Sequence, residues 1–516
     1  MKVIKFGAAL LFAGIGGYAV YFFSGNGESV TPAEFPGKFI TAAEFCRDKK
    51  QVALTFRPGE ETKLQEAVNL LEDCTTISLG AGTFNLTNAI TVAKTKGLVF
   101  RGAGKTQSIL KFNRTGNYNG VDIENVRSLE ISDLTIMDSP KNGLEIRLSE
   151  QIHINNVRAT WSVSGGPEKT KNGAYGIYPV NVKNILLENS ESFYASDAGL
   201  YVGQCINAVV RKNRAEENVF GIEIENTINA DVYDNVSRKN TGGFLIYDLH
   251  RNPIVGRNVR FFRNVSENNN LPNFAHSGIV KSVPAGTGMA IVAQRHVEVF
   301  GNRFHNNNTL DIGIVHGLVA EVPDLSKWPH KNFANHHIYI HDNDFGDASG
   351  GAIDNGQVDG KNRPLGFLID MVFKEVNLYR RDKNLAALGV PNILFDGVDD
   401  HRTILALTNT FLGNRRGNRI QLCLRNMKNT SSRPSLVDMN LPALLDNSEE
   451  PTKASIRKAI DKNDFVVYAK TDNPLYGGAA PAGFDCTGAG GTGVPVAGLG
   501  EDGRAVADKI LSDLKI

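Results

Sequence analysis

A glycine followed by alternating apolar residues recurs through the middle of this chain: Gly120-Val-Asp-Ile, Gly143-Leu-Glu-Ile, Gly176-Ile-Tyr, Gly199-Leu-Tyr-Val, Gly221-Ile-Glu-Ile, Gly243-Phe-Leu-Ile and Gly288-Met-Ala-Ile. The steps between them are 23, 33, 23, 22, 22 and 45 residues. Four fit one coil of 22 or 23 residues, the last fits two coils, and the step of 33 carries an insertion at Trp161 to Gly173. A fixed period of this kind points to one elongated stack of repeated units rather than several compact domains. Each Gly strand is followed by a second apolar strand closing on a small polar residue: Asp133, Asn156, Asn189, Asn213, Asn235, Asn264, Asn302 and Asn343. A further Asn precedes the next Gly strand at Asn218, Asn240 and Asn306.

A coil of this length holds about three short strands at ~3.3 Å per residue, with tight bends between them. Alternation sends Val121 and Ile123, Ile222 and Ile224, and Phe244 and Ile246 to the inside. Asn tolerates left-handed backbone at the bends and can bond its equivalent in the next coil, so ladders of Asn would satisfy polar groups buried between coils. A leucine-rich or helical solenoid would need helix-length segments between the strands, and these are missing. The fold class expected is therefore all-β, a right-handed single-stranded parallel β-helix, with handedness following the rule for parallel crossovers.

The ends of such a stack are sheet edges and need covers. Glu60 to Asp73 places Leu64, Ala67, Val68 and Leu71 at helical spacing after Pro58-Gly59, which predicts an N-terminal helical cap. The expected division is 1–28 as signal peptide or anchor, 29–75 as N-terminal cap including a helix over 60–73, 76–430 as the β-helix, and 431–516 as an irregular C-terminal region. That last region has a Gly-rich linker at Thr487 to Gly500 and a short amphipathic tail.

Lys2 and Lys5 precede the apolar run Gly7 to Phe23, the layout of an export signal. Seventeen residues of helix reach about 26 Å, short of a hydrocarbon core of roughly 30 Å, which favours a cleaved signal over a spanning helix. Retention as a membrane anchor by residues 7–23 is the other outcome, and either places the body in the periplasm or outside the cell. In an oxidising compartment five Cys suggest two bridges and one thiol. Cys46 and Cys74 flank the predicted helix and Cys423 and Cys486 share the C-terminal third, so they are paired in that way, leaving Cys205 as an inert core thiol. The formal charge of +1, from 56 basic and 55 acidic residues, gives no field that would gather nucleic acid.

Ile77-Ser-Leu-Gly-Ala-Gly-Thr-Phe84 with Leu98-Val-Phe-Arg-Gly-Ala-Gly104 resembles the opening of pectin-lyase-like right-handed β-helix proteins. The core from Gly176 to Ile291, with Ser196-Asp-Ala-Gly-Leu-Tyr-Val-Gly-Gln204 and Asn218-Val-Phe-Gly-Ile-Glu-Ile-Glu-Asn226, is similar to a bacterial family of exported parallel β-helix repeat proteins. The resemblance covers most of residues 50 to 430. It implies polysaccharide lyases, epimerases and hydrolases by analogy of fold. For the repeat family it implies a secreted cytochrome-like partner.

If the Gly strands form one parallel sheet, their outward residues align into a stripe: Asp122 and Glu124, Glu145 and Arg147, Tyr178, Tyr201, Glu223 and Glu225, Leu245 and Tyr247, then Ala290. Tyrosine faces can pack on sugar rings. Carboxylates beside them can act as acid and base or hold a Ca²⁺ ion. Glu223 and Glu225 would stand about 7 Å apart by strand geometry, within the range of an inverting pair. Asp248-Leu-His250 is similar in spacing to the Asp-Pro-His motif of alginate C5-epimerases, with Leu249 in place of Pro; Arg251 or Lys281 would supply charge. Catalysis is thus assigned to Glu223, Glu225, Asp248 and His250, and substrate binding to Arg147, Tyr178, Asp197, Tyr201, Tyr247 and Arg251. The alternative is a non-catalytic envelope scaffold or binding protein whose outward Glu and Arg merely ladder from coil to coil. The full polygalacturonase set of Asn-Thr-Asp, Asp-Asp and Gly-His-Gly is missing, as is the Arg-x-Pro-x-x-Arg of Ca-dependent pectate lyases. His336, His337 and His341 lack a fourth ligand, so they read as surface and no metal site is assigned.

Overall fold

The computed structural model describes residues 39–249, 251–275, 277–320, 333–348, 353–354, 356–358, 361–362, 364–398, 422–425, 427–445, 451–462 and 465–468. His250, Cys486, Trp328, Gly351, the run 7–23 and the C-terminal tail lie outside these residues. Among the described residues no helix is long and apolar enough to cross a membrane.

The chain is a right-handed parallel β-helix with three strands per coil. On one sheet, called here the Gly sheet, Ile90–Ala93 pairs with Val121–Glu124, and the stack continues through Ala198–Gly203, Phe220–Glu225, Gly242–Tyr247, Thr287–Val292 and Leu310–Val315. The register is the one that alternation dictates. Leu200 lies over Ile222, Ile222 over Phe244, and Phe244 over Met289, each buried in one continuous core. On a second sheet Ile77, Phe100, Ile131, Ile154, Leu187, Val210, Val232, Phe261, Val299 and Ile340 form the matching inner column.

The glycine that heads each strand is required by close approach, since these residues do not have positive φ. A Cβ on Gly221 would stand 1.9 Å from Ser237 Oγ and 2.7 Å from the carbonyl oxygen of Gly243 in the next coil. Ser237 Oγ donates to that same carbonyl at 2.7 Å, so the corner holds a hydroxyl where a methyl would otherwise go.

Two ladders run through the bends. In one, the amides of Ser190, Asn213, Asn235, Asn264 and Asn302 donate in turn to the side-chain oxygens of Asn213, Asn235, Asn264, Asn302 and Asn343, at 2.8–3.0 Å. In the other, Ala195, Asn218, Asn240 and Asn269 donate to Asn218, Asn240, Asn269 and Asn307, at 2.9–3.2 Å. Three assignments need correction. Asp133, Asn156 and Asn189 stand one residue before the ladder, in left-handed backbone, and Ser190 takes the ladder position of their column. Asn306 is likewise off the ladder, which Asn307 occupies. The 45-residue step is one coil rather than two, because Phe244 pairs directly with Met289, and the surplus chain lies in loops after Tyr247 and after Glu267.

The helix expected over 60–73 spans Glu61–Val68, burying Leu64 and Val68. Ahead of it, Val52–Phe56 already pairs with Thr75–Leu79, so the first strand precedes the expected boundary at 76. Cys46 and Cys74 form the expected disulfide. Cys205 is free and buried, its thiol pushed up to about 12 by burial. Downstream, a helix over Pro364–Asp382 packs Leu368, Ile369, Val372, Phe373 and Val376 onto Leu310, Leu394 and Val437, outward residues of the last Gly strands. The sequence reading passed over this helix, although its apolar residues recur at i, i+3 and i+4.

Candidate functional site

The outward stripe exists as a register: Asp122 pairs with Glu145, Glu145 with Tyr178, Tyr201 with Glu223, Glu223 with Leu245, and Leu245 with Ala290. Its three zones differ chemically.

At the upstream end Arg147 gathers three carboxylates: Asp122 at 2.5 Å, Glu124 at 2.9 Å and Glu145 at 3.1 Å. Arg147 is therefore committed to an ion-pair ladder between coils and is not free to hold a ligand. At the downstream end the same columns carry Leu245, Ala290, Val292 and Gly313, which are apolar.

The middle zone is acidic and aromatic. Tyr175, Tyr178 and Tyr201 pack together, with ring centroids 4.4 Å (175 to 178), 4.6 Å (178 to 201) and 5.0 Å (175 to 201) apart. Tyr201 folds back along its own strand over Gly203, where a Cβ would lie 2.2 Å from the ring. Glu223 is 0% exposed, and its Oε2 accepts a 3.0 Å hydrogen bond from the Tyr247 hydroxyl. Its Oε1 has no partner among the described residues. Asp197, on the bend before the Gly199 strand, is 9% exposed; Tyr175 bonds its side chain, and its Oδ1 has no partner. Glu225 accepts from Asn252 at 2.5 Å.

Burial, and secondarily the charge of Glu225, pushes the Asp197 carboxyl up to about 8. Burial and then Asp197 hold the Glu223 carboxyl well above the usual carboxylate range. Burial first, followed by the same acids, raises Tyr175, Tyr178 and Tyr247. Near neutral pH the cluster therefore keeps protons that exposed carboxyls would have lost.

The stripe was expected to be open, and it is roofed. The loops after Tyr247 and after Glu267 bury Leu249, Ala275, Val280 and Val283 against Tyr201, Phe220, Leu245, Tyr247 and Ala290. Asn226 ties the first loop down by donating to the carbonyls of Leu249 and Ile254. Asn273 ties the second through those of Val280 and Val283. Tyr175 and Tyr178 stay partly exposed, and they mark the accessible edge of the cluster.

Asp248 stands at the root of the first loop, buried, accepting from the Gly256 amide at 2.9 Å and from Gln294 Nε2 at 2.5 Å. These bonds hold the root of the loop. Arg251 is exposed, and His250 lies outside the described residues. The structure thus joins Asp197, Glu223, Glu225, Tyr178, Tyr201 and Tyr247 in one cluster and leaves Arg147 and Asp248 in structural bonds.

Tyr175 and Asn252 were missed: neither falls on an outward strand position, and only the fold brings them in. His341 bonds Glu298 and Asp342, and His337 stacks on His296 at 4.4 Å. Among the described residues no three His, Cys, Asp or Glu side chains converge as a metal ion would need.

Residues 119–307 match the family model described as "Right handed beta helix region". No curated protein sequence is significantly similar to the chain. Among solved structures, the A-module of the mannuronan C-5 epimerase AlgE4 from Azotobacter vinelandii is similar at 12% identity and a TM-score of 0.45, over 72% of this chain and 91% of that one. An exopolygalacturonase from Thermotoga maritima is similar at 11% identity and a TM-score of 0.38, over 60% and 91%. An alginate lyase from a Paenibacillus strain is similar at 14% identity and a TM-score of 0.31, over 57% and 96%. The right-handed β-helix expected from the sequence is the fold of this chain.

Proposed function

We propose that this chain is an exported β-helix protein that binds and modifies polysaccharide at the covered middle of its Gly sheet. One observation carries the reading. The stripe positions in the following coils are filled by Leu245, Ala290 and Gly313, so the fold tolerates apolar or absent side chains there. Glu223 and Asp197 are instead buried, with oxygens that nothing among the described residues satisfies. Acids kept where they cost stability mark a functional site rather than a packing solution.

The chemistry follows from the protonation pattern. Asp197 and Glu223 hold protons at neutral pH, which suits one of them to protonate a leaving glycosidic oxygen, and Glu225 would act as base. Tyr175 and Tyr178, at the exposed edge, would pack against sugar rings. Hydrolysis requires a water activated for attack at the anomeric carbon, whereas elimination or epimerisation requires removal of a C5 proton that only a uronate carboxylate makes acidic, so the substrate decides the outcome.

The alternative, a non-catalytic envelope scaffold serving a secreted cytochrome-like partner, draws on the ion-paired Arg147 zone and the closed roof. Export to the periplasm or cell exterior, with residues 7–23 as signal or anchor, belongs to both readings. A screen of neutral, amine-bearing and uronate glycans for turnover, with Glu223→Gln alongside, separates them. Turnover lost in the variant supports the enzyme; a chain that neither binds nor turns over any glycan is the scaffold.

A further inference from the structure

The charges around the cluster point to a class of ligand. Burial first raises both Asp197 and Glu223, the charge of Glu225 adds to it at Asp197 and that of Asp197 at Glu223, and the hydroxyls of Tyr175 and Tyr247 offset part of the effect. Arg147, on the same sheet, is bonded to its own three carboxylates. Lys169, from the insertion at Trp161 to Gly173, lies 4.4 Å from the Phe274 ring and 5.3 Å from the Tyr194 ring, and Glu217 is the acid whose charge it feels. A uronate carboxylate entering here would find no arginine fork among the described residues, whereas an ammonium would displace the proton of Asp197 or Glu223 and pair with the carboxylate it leaves.

Two further features favour the opposite charge. Oε1 of Glu223 and Oδ1 of Asp197 are buried acceptors with no donor among the described residues. An ammonium group carries three donors, and its charge favours the ionised form of a neighbouring carboxyl, so seating it here releases a proton from Asp197 or Glu223. Beside them Tyr175, Tyr178 and Tyr201 present packed π-faces, and a cation within about 6 Å of such a ring gains by cation–π attraction. Acids lacking donors and an aromatic wall together make a receptor for a protonated amine.

We propose that the cluster formed by Tyr175, Tyr178, Tyr201, Asp197 and Glu223 binds a glycan bearing free amino groups, with an ammonium seated between the tyrosine faces and the unpartnered carboxyl oxygens. This rests on the polysaccharide reading above and names its substrate class. The ligand enters at Tyr175 and Tyr178, the partly exposed edge.

Calorimetric titration of the full-length protein at neutral pH tests the assignment with four probes: a glucosamine tetramer, the N-acetylglucosamine tetramer, a uronate tetramer, and the sugar-free diamine putrescine. The glucosamine tetramer is expected to bind at least about tenfold more tightly than its N-acetylated form, a difference of ~1.4 kcal/mol, and the uronate tetramer not to bind. Glu223→Gln, which keeps an acceptor for Tyr247, should remove that preference while circular dichroism shows an unchanged fold. Equal binding of the two tetramers, or preference for the uronate, overturns the ammonium assignment and leaves the glycan reading standing. Binding of putrescine with no tetramer binding upholds the ammonium assignment and removes the glycan reading. No binding by any probe overturns the assignment.

Discussion

The hydroxyl of Tyr247 donates a 3.0 Å hydrogen bond to Oε2 of Glu223, one coil earlier, while the other oxygen of that carboxyl faces no donor among the described residues. The pair sits on adjacent strands of the Gly sheet, beneath the loop that follows Tyr247. Half of the carboxyl is thus built into the stack and half is left for something else.

Replacing Glu223 by Gln keeps an acceptor for Tyr247 and deletes the acid. The variant should be as stable as the parent or more so, by ~1–3 kcal/mol at pH 8, measured by chemical denaturation. Destabilisation by more than about 1 kcal/mol would mean the carboxyl serves the stack rather than a ligand.

Asp197 holds its proton more tightly folded than unfolded, its carboxyl being pushed up to about 8 by burial. The folded state therefore carries more protons between about pH 4 and pH 8. The stabilisation from this group is fully present below the unfolded value near 4 and is lost as pH rises through about 8. Asp197→Asn should flatten that part of the stability profile, read as the difference between variant and parent across pH 4–9. Parallel profiles would show that Asp197 titrates normally.

His296 shifts the other way. It continues a bend column of Asn207, Asn229 and Asn258, and burial, then His337, Arg257 and Arg295, lower its imidazole to about 4. The unfolded chain binds the extra proton between about pH 6.5 and pH 4, so stability from this group falls on acidification through that window. His296→Asn restores the residue type of the column, and thermal melts at pH 4.5 and 7.5 should then differ less than in the parent. An unchanged difference would place the acid sensitivity elsewhere.

The ladders make a sharp contrast between asparagines. Asn240 is fully buried; its Oδ1 accepts from the amide and side chain of Asn218, and its Nδ2 donates to the Ala215 carbonyl. Asn240→Ala should cost on the order of 3 kcal/mol by stranding those groups. Asn189→Ala, at an exposed left-handed position off the ladder, should cost under about 1–2 kcal/mol. Equal losses in denaturation experiments would contradict the ladder as drawn.

The coil period, the inner columns and the Cys46–Cys74 bridge were legible because they rest on rules of short range: alternation, bend chemistry and helix spacing. Ladder register was less so. Leu187-Glu-Asn189 and Val210-Arg-Lys-Asn213 look equivalent in sequence, yet Leu187 pairs with Val210, which puts Asn189 opposite Lys212. For the site, outward positions gave Glu223, Glu225, Tyr178 and Tyr201, and nothing local indicated that loops tens of residues downstream would fold back over them. That roof turned an exposed polar stripe into buried acids, brought in Asn252, and gave Asp248 a structural partner in Gly256.

The central claim is that the acids of the covered Gly sheet do chemistry on a glycan. The most direct measurement is product formation, as new reducing ends, double bonds or inverted sugar stereocentres, from a panel of neutral, amine-bearing and uronate polysaccharides by the parent and by Glu223→Gln. Turnover of at least one glycan, reduced about 100-fold or more in the variant as loss of a proton donor requires, is the predicted result. Product formation by neither protein, or at equal rates by both, would contradict it.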